Sequence, residues 1–341
     1  MTLTLLPTRA EALGPPLPEP RGPLSAHMHA LILGRQGYSS PAAVSTADAF
    51  GDDLHLALYT AYELHYRGFA GVSDDQEWDP HVLALTAALE RRFLGALRDE
   101  LGPLDEDVDA AIDELLLVDG EGGVSAYLAQ HGTREQLRES LVHRSMYHLK
   151  EADPQAFVLP RLHGATKAGV AAVEFDEYGG GRASRMHAAL FAELMAAFDL
   201  DTSYGAYVDL VPAPMLAMVN FMSLCGLHRA RRGALLGQLA AVEITSPPGS
   251  MRMVAAVRRT GGDADAEDFY AEHVVADCVH EQVMRRDVIG NLLAEEPHLA
   301  GDVVFGIRAA GLLDTRLDEH LLAAWSAGRS SLCAPIPPTA A

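Results

Sequence analysis

The segment His273-Val274-Val275-Ala276-Asp277-Cys278-Val279-His280 carries two imidazoles and a carboxylate among mostly apolar neighbours. At about 100° per residue, an α-helix would set His273, Asp277 and His280 on one face, within an arc of roughly 60°. The rise from His273 to His280 would be about 10 Å, awkward for one metal ion but suited to two neighbouring ions with the Asp277 carboxylate between them. A solvated polar face is the competing explanation, and the apolar residues at the other positions weigh against it.

Two further residues project from apolar stripes. Glu243 follows Leu236, Leu239 and Ala240 on one helical face, and His187 precedes Leu190, Phe191 and Leu194 on another. A buried carboxylate without a partner is costly, and a metal ion is one partner that removes the cost. Taken singly, each reads more readily as a satisfied core residue or a helix-end polar group; with the 273–280 face, the pair points to ligation. Glu151 and Glu177 lie at either end of the stretch that contains Pro160, and periodicity does not separate them from Glu174 or Asp176. Histidine and carboxylate donors without thiolate suit iron or manganese better than structural zinc, and helical carboxylate sites are a known home for paired iron.

The elements that must position these residues read as helical almost throughout. The chain has 341 residues, 49% of them hydrophobic, with abundant Ala and Leu; this is ample for a core and favours helices. The pattern predicts helices at 45–67, 80–101, 105–118, 122–130, 133–151, from Pro160 to Tyr178, and at 182–198, 205–227, 229–245, 249–259, 264–293, 297–311 and 315–327. No stretch alternates with period two for long enough to argue a sheet, and no repeat of fixed period is present. The expected organisation is an all-α chain: a flexible Pro-rich arm over 1–42, a single helical domain over 43–327 and a flexible tail over 328–341.

The formal net charge of −21, with no basic stripe to follow a phosphate backbone, argues against a nucleic-acid partner. Cys225, Cys278 and Cys333 show neither CxxC nor paired spacing, so a disulfide framework is not indicated and a reducing compartment is the simplest reading. With no secretory n-region and no membrane-length apolar run, the expected location is cytoplasmic, off the membrane.

At these residues the sequence resembles the haem-oxygenase-like di-iron oxidase and oxygenase family, the iron-containing redox enzymes. The likeness covers roughly 135–295 and rests on an ordered set: Glu151, then Asp176-Glu177-Tyr178-Gly179-Gly180-Gly181 with His187 ten residues after Glu177, then Glu243, then the His273, Asp277, His280 helix. Tyr62-Glu63-Leu64-His65-Tyr66-Arg67-Gly68-Phe69 also looks like that family, although Glu63 and His65 could equally line a pocket or form an exposed step. The resemblance implies a haem-oxygenase-like helical bundle, two iron ions with O2 as co-substrate, and Glu151, His187, Glu243, His273, Asp277 and His280 as iron ligands. Glu177 resembles the additional carboxylate of members that N-oxygenate amines, with an auxiliary catalytic role. Members that cleave or desaturate acids tend to keep the first Glu and His close in sequence; here 36 residues separate Glu151 from His187. The expected activity is therefore N-oxygenation of an amine, guanidine or amino-heterocycle in specialised metabolism, with oxidative C–C cleavage or desaturation of a small amino or fatty acid as runner-up. A metal-free helical binding module is the reading from a different class. The expected partners are a small-molecule substrate, an external electron donor and a second copy in a homodimer.

Overall fold

Pro23 supplies the first turn of helix α1 (Pro23–Ile32), where its fixed φ is favourable and its missing N–H costs nothing. The computed structural model describes residues 14–35, 43–117 and 122–338. Over these, the Pro-rich stretch is not the loose arm its composition suggests. Leu24, Met28, Leu31 and Ile32 are buried, and the backbone amides of Leu24 and Ser25 donate to the Asp53 carboxylate. The Arg21 guanidinium donates to the carbonyls of Val208 and Val211. Prolines end regular structure locally, but they leave side chains and carbonyls free to pack. The part of the expected arm at 1–13 and 36–42 lies outside the described residues.

The other helices follow in order: α2 (Ala43–Thr46), α3 (Asp52–Glu63), α4 (Pro80–Leu101), α5 (Val108–Leu117), α6 (Gly123–Gln130), α7 (Arg134–His148), α8 (Asp153–Ala156), α9 (Gly164–Glu177), α10 (His187–Ala197), α11 (Ala213–Leu227), α12 (Arg232–Arg259), α13 (Ala264–Gln282), α14 (Asn291–Glu295) and α15 (Ala300–Ser326). Among the described residues there is no strand, and the fold is all-α as expected. Two apolar clusters make the core. One gathers Phe93 of α4, Phe221 of α11, Leu239 of α12 and Ile307 of α15; the other gathers Leu141 of α7, Phe191 of α10, Phe269 of α13 and Leu321 of α15.

Several boundaries differ from the sequence pattern. The expected break at Pro247-Pro248 is absent, and α12 runs through both prolines. Proline φ is compatible with a helix, so the axis continues and only the carbonyls four residues earlier, those of Glu243 and Ile244, lose their amide partners. The expected helices at 297–311 and 315–327 are one element, α15. The helix expected from 205 begins at Ala213, after an irregular link, and the one expected over 45–67 is split into α2 and α3. The end of the 264–293 stretch is a π-helix over Val283–Gly290.

Close packing sets the position of α12. A Cβ on Gly237 would lie 2.1 Å from the Val303 carbonyl oxygen, and one on Gly306 2.0 Å from that of Ala234, so α12 and α15 touch backbone to backbone.

The expected tail is likewise anchored as far as Cys333. Ser331 donates to Glu139 from both its amide and its hydroxyl, at 2.8 and 2.7 Å, and Cys333 N donates to Leu210 O. Ser331 also accepts from the buried His143 of α7, and Trp325 Nε1 gives Glu139 a further donor. At the other end of that helix, Thr133 and Gln136 form a capping box. Thr133→Ala should cost about 1 kcal/mol in a urea unfolding titration, without moving the site residues at the far end of α7.

Candidate metal centre

Glu151 lies three residues past the end of α7, Glu177 is the last residue of α9, and His187 opens α10. The three glycines between the last two reverse the chain. Gly179 has φ +68, and a Cβ on it would lie 2.5 Å from the Met186 nitrogen, so only glycine lets the His187 end fold back on Glu177. Glu243 comes from the middle of α12, and His273, Asp277 and His280 come from one face of α13.

All seven residues that the sequence singled out meet in the interior, each at most 7% exposed. They form two groups of four whose donor atoms lie within 4.8 Å of one another: Glu151, Glu177, His187 and His273 in the first, Glu177, Glu243, Asp277 and His280 in the second. The common member is Glu177. By side-chain position alone, Glu177 and not Asp277 stands between the two groups. The facing wall, α9, supplies the longer side chain, which reaches both groups, while Asp277 belongs to the second alone.

The donor atoms converge on shared space. His187 Nδ1 is 2.7 Å from Glu177 Oε2, yet it has no hydrogen-bond partner, and neither has Asp277 Oδ1. His273 donates through Nδ1 to the Phe269 carbonyl at 2.7 Å, which fixes the ring orientation and turns Nε2 toward the first group. His273 Nε2 is also unpartnered; its 3.8 Å approach to Glu151 Oε1 is an ion-pair distance and not a hydrogen bond. In the second group His280 Nδ1 is 3.0 Å from Glu243 Oε2 and 3.6 Å from Asp277 Oδ1. His280 and Glu243 hydrogen-bond one another, but buried imidazole and carboxylate atoms that converge with His187 Nδ1, His273 Nε2 and Asp277 Oδ1 left without partners fit a pair of metal ions.

Charge is out of balance there without metal. Burial disfavours both imidazolium ions, but Glu151 outweighs it and holds His273 up at about 10, and Asp277 and Glu243 hold His280 up at about 11. Burial pushes Glu243 up to about 8, against the pull of His280. Glu151 goes the other way: burial opposes its ionisation, yet His148 and His273 hold the carboxyl below its usual range.

Spacing did not disclose the residues around the ligands. His148 Nδ1 lies 2.9 Å from Glu151 Oε2, and Asp176 Oδ2 lies 3.1 Å from His280 Nε2; each can orient its neighbour. His148 stands three positions before Glu151, the one signal that could have marked it. The buried Lys150 pairs with Glu63 at 3.0 Å, and Tyr204 donates to the same carboxylate at 2.6 Å. Glu63 is therefore an interior anchor and not an exposed step, while His65 bonds Glu77; neither belongs to the metal groups. Phe191 and Phe269 close over His148 with ring centroids at 4.8 and 4.9 Å.

An all-α fold that buries two carboxylate–histidine groups with a shared glutamate has the donor set of a helical-bundle metal site. Residues 138–315, just over half of the chain, match the family of iron-containing redox enzymes, and the chain belongs to that family. A search of curated proteins returned no significant match. Among the described residues, no helix is long and apolar enough to cross a membrane.

Proposed function

We propose that the chain is a non-haem di-iron oxygenase that uses O2 to oxygenate a nitrogen of an amine, guanidine or amino-heterocycle. The observation that carries this reading is the pair of buried four-residue groups joined through Glu177. Two iron ions held there would supply redox equivalents and Lewis acidity for O2 chemistry. The chain's own part is to hold geometry and exclude water. His148 and Asp176 orient Glu151 and His280, and Phe191 and Phe269 cover one side. The nitrogen preference is supported by Glu177 as an additional carboxylate and by its place between Glu151 and His187 in the sequence. The proposal also calls for a small-molecule substrate, a cytoplasmic setting, association as a homodimer and an external electron donor, because O2 reduction consumes electrons that the side chains do not provide.

Anaerobic Fe(II) loading followed by metal analysis tests the site, and the expected content is about two irons per chain. A sample that never exceeds one would sink the dinuclear reading, and one that binds none would favour a metal-free binding module. Exposure to O2 with a panel of amines and of fatty and amino acids then tests the reaction. Hydroxylamine or nitro products by mass spectrometry support N-oxygenation; alkenes or shortened chains without an N–O bond would move the enzyme to oxidative cleavage or desaturation.

A further inference from the structure

Three side chains beside the second metal group have polar atoms with nothing to bind. Gln155 of α8, Glu174 of α9 and Gln238 of α12 are 0%, 3% and 1% exposed. Gln155 Oε1, Gln238 Nε2 and both oxygens of Glu174 have no hydrogen-bond partner. Glu174 also forms no ion pair among the described residues, although leaving a carboxylate buried and unpaired is among the costliest things a fold can do.

They face one region. Gln155 Nε2 is 3.4 Å from Gln238 Oε1 and donates to the Tyr147 hydroxyl at 3.2 Å. The charge of Glu174 acts on that same hydroxyl together with those of Glu177 and Glu243. Burial, together with the charges of Glu177, Glu243 and Asp153, pushes the Glu174 carboxyl up to about 9, so it ionises at neutral pH only with a cation beside it. The ligands of the metal groups do not use these atoms, so the region adjoins the centre without being part of it.

We propose that Glu174 and Gln155 form a subsite for a cationic, N–H-rich group of the substrate, a guanidinium before all, with the Gln238 amide facing an acceptor on the same molecule. This rests on the reading of the site as one that acts on nitrogen compounds, and it names how such a compound is held. Two free oxygens on one carboxylate match the parallel N–H pair of a guanidinium, and Gln155 Oε1 accepts a third. The surrounding carboxylates rule out an anion at that position. The bound cation supplies the charge partner that Glu174 lacks within the chain.

The test separates binding from oxidation by using the full chain loaded with Zn(II), which carries out no O2 chemistry. Butylguanidinium and its uncharged isostere butylurea are titrated calorimetrically. Butylguanidinium should bind at least about tenfold more tightly than butylurea. Glu174→Gln should erase that difference while keeping two zinc ions per chain, and Glu174→Asp, which keeps the charge on a shorter arm, should restore part of it. Equal affinity for the two probes in the wild type, a preference unchanged in Glu174→Gln, or loss of a zinc ion on that substitution would each overturn the subsite; the last would make Glu174 a ligand. A clear preference for butylguanidinium together with no N–O product from any amine would leave the subsite standing and remove N-oxygenation instead.

Discussion

Glu177→Ala is expected to empty both halves of the centre, lowering iron from about two per chain to below one after anaerobic loading and desalting. Glu177 is the only residue shared by the two four-residue groups, so its loss takes a donor from each. It also removes the carboxylate that lies 2.7 Å from His187 Nδ1. His280→Ala is the control, because His280 belongs to the second group alone; about one iron should remain in that variant. Both metal-free variants should keep the helical circular dichroism of the wild type, since the walls of the site are set by the core contacts of α7, α10, α12 and α13. If Glu177→Ala and His280→Ala retain the same amount of iron, Glu177 does not join the groups, and the auxiliary role implied by its sequence position would be the better description.

The difference between that sequence reading and the structure has a physical origin. Helical periodicity shows which residues of one element share a face, so the alignment of His273, Asp277 and His280 was legible, and so were His187 and Glu243 on their apolar stripes. It carries no information about what the facing element contributes. Which carboxylate reaches both groups depends on how the Gly179 turn brings α9 and α10 together, a long-range consequence of packing. Glu151 and Glu177 could be named only through the ordered resemblance, and Glu174 and Asp176 were indistinguishable from them by period. In space the four part company: Glu151 and Glu177 join the metal groups, Asp176 braces His280 from the rim, and Glu174 is buried with both oxygens unpaired. Composition misled at both ends of the chain for a related reason. Proline and glycine oppose regular hydrogen bonding, but they do not prevent Leu24, Met28 or Leu332 from packing into the core, and Ser331 brings the polar atoms that Glu139 needs.

Metal-free protein should lose stability as the pH rises, and metal-loaded protein should not. His273 and His280 hold their protons more tightly folded than unfolded, being raised from 6.5 to about 10 and about 11. Their stabilisation is therefore complete below the unfolded value and is lost as the pH climbs through the folded ones. Glu243, raised from 4.5 to about 8, acts in the same direction, because deprotonating it in the folded state works against burial and neighbouring carboxylates. Glu151, held below its usual range, and the buried His55, His143 and His148, lowered by burial, have the opposite sign, and their contributions change on the acid side of their ordinary values. Metal ions reverse the slope over the neutral range. To bind, they must displace the protons of His273, His280 and Glu243, so their affinity grows as those protons become easier to remove. The gap in melting temperature between Fe(II)-loaded and metal-free protein, measured anaerobically, should widen steadily from about pH 6 to about pH 8.5. Loading in weakly buffered solution at about pH 7 should release protons, more than one per chain, detectable with an indicator dye. His280→Ala should reduce that release along with the metal content. A gap that stays constant across this range, or metal uptake without proton release, would mean that the two imidazoles are already neutral in the metal-free fold and that the carboxylates carry the imbalance alone.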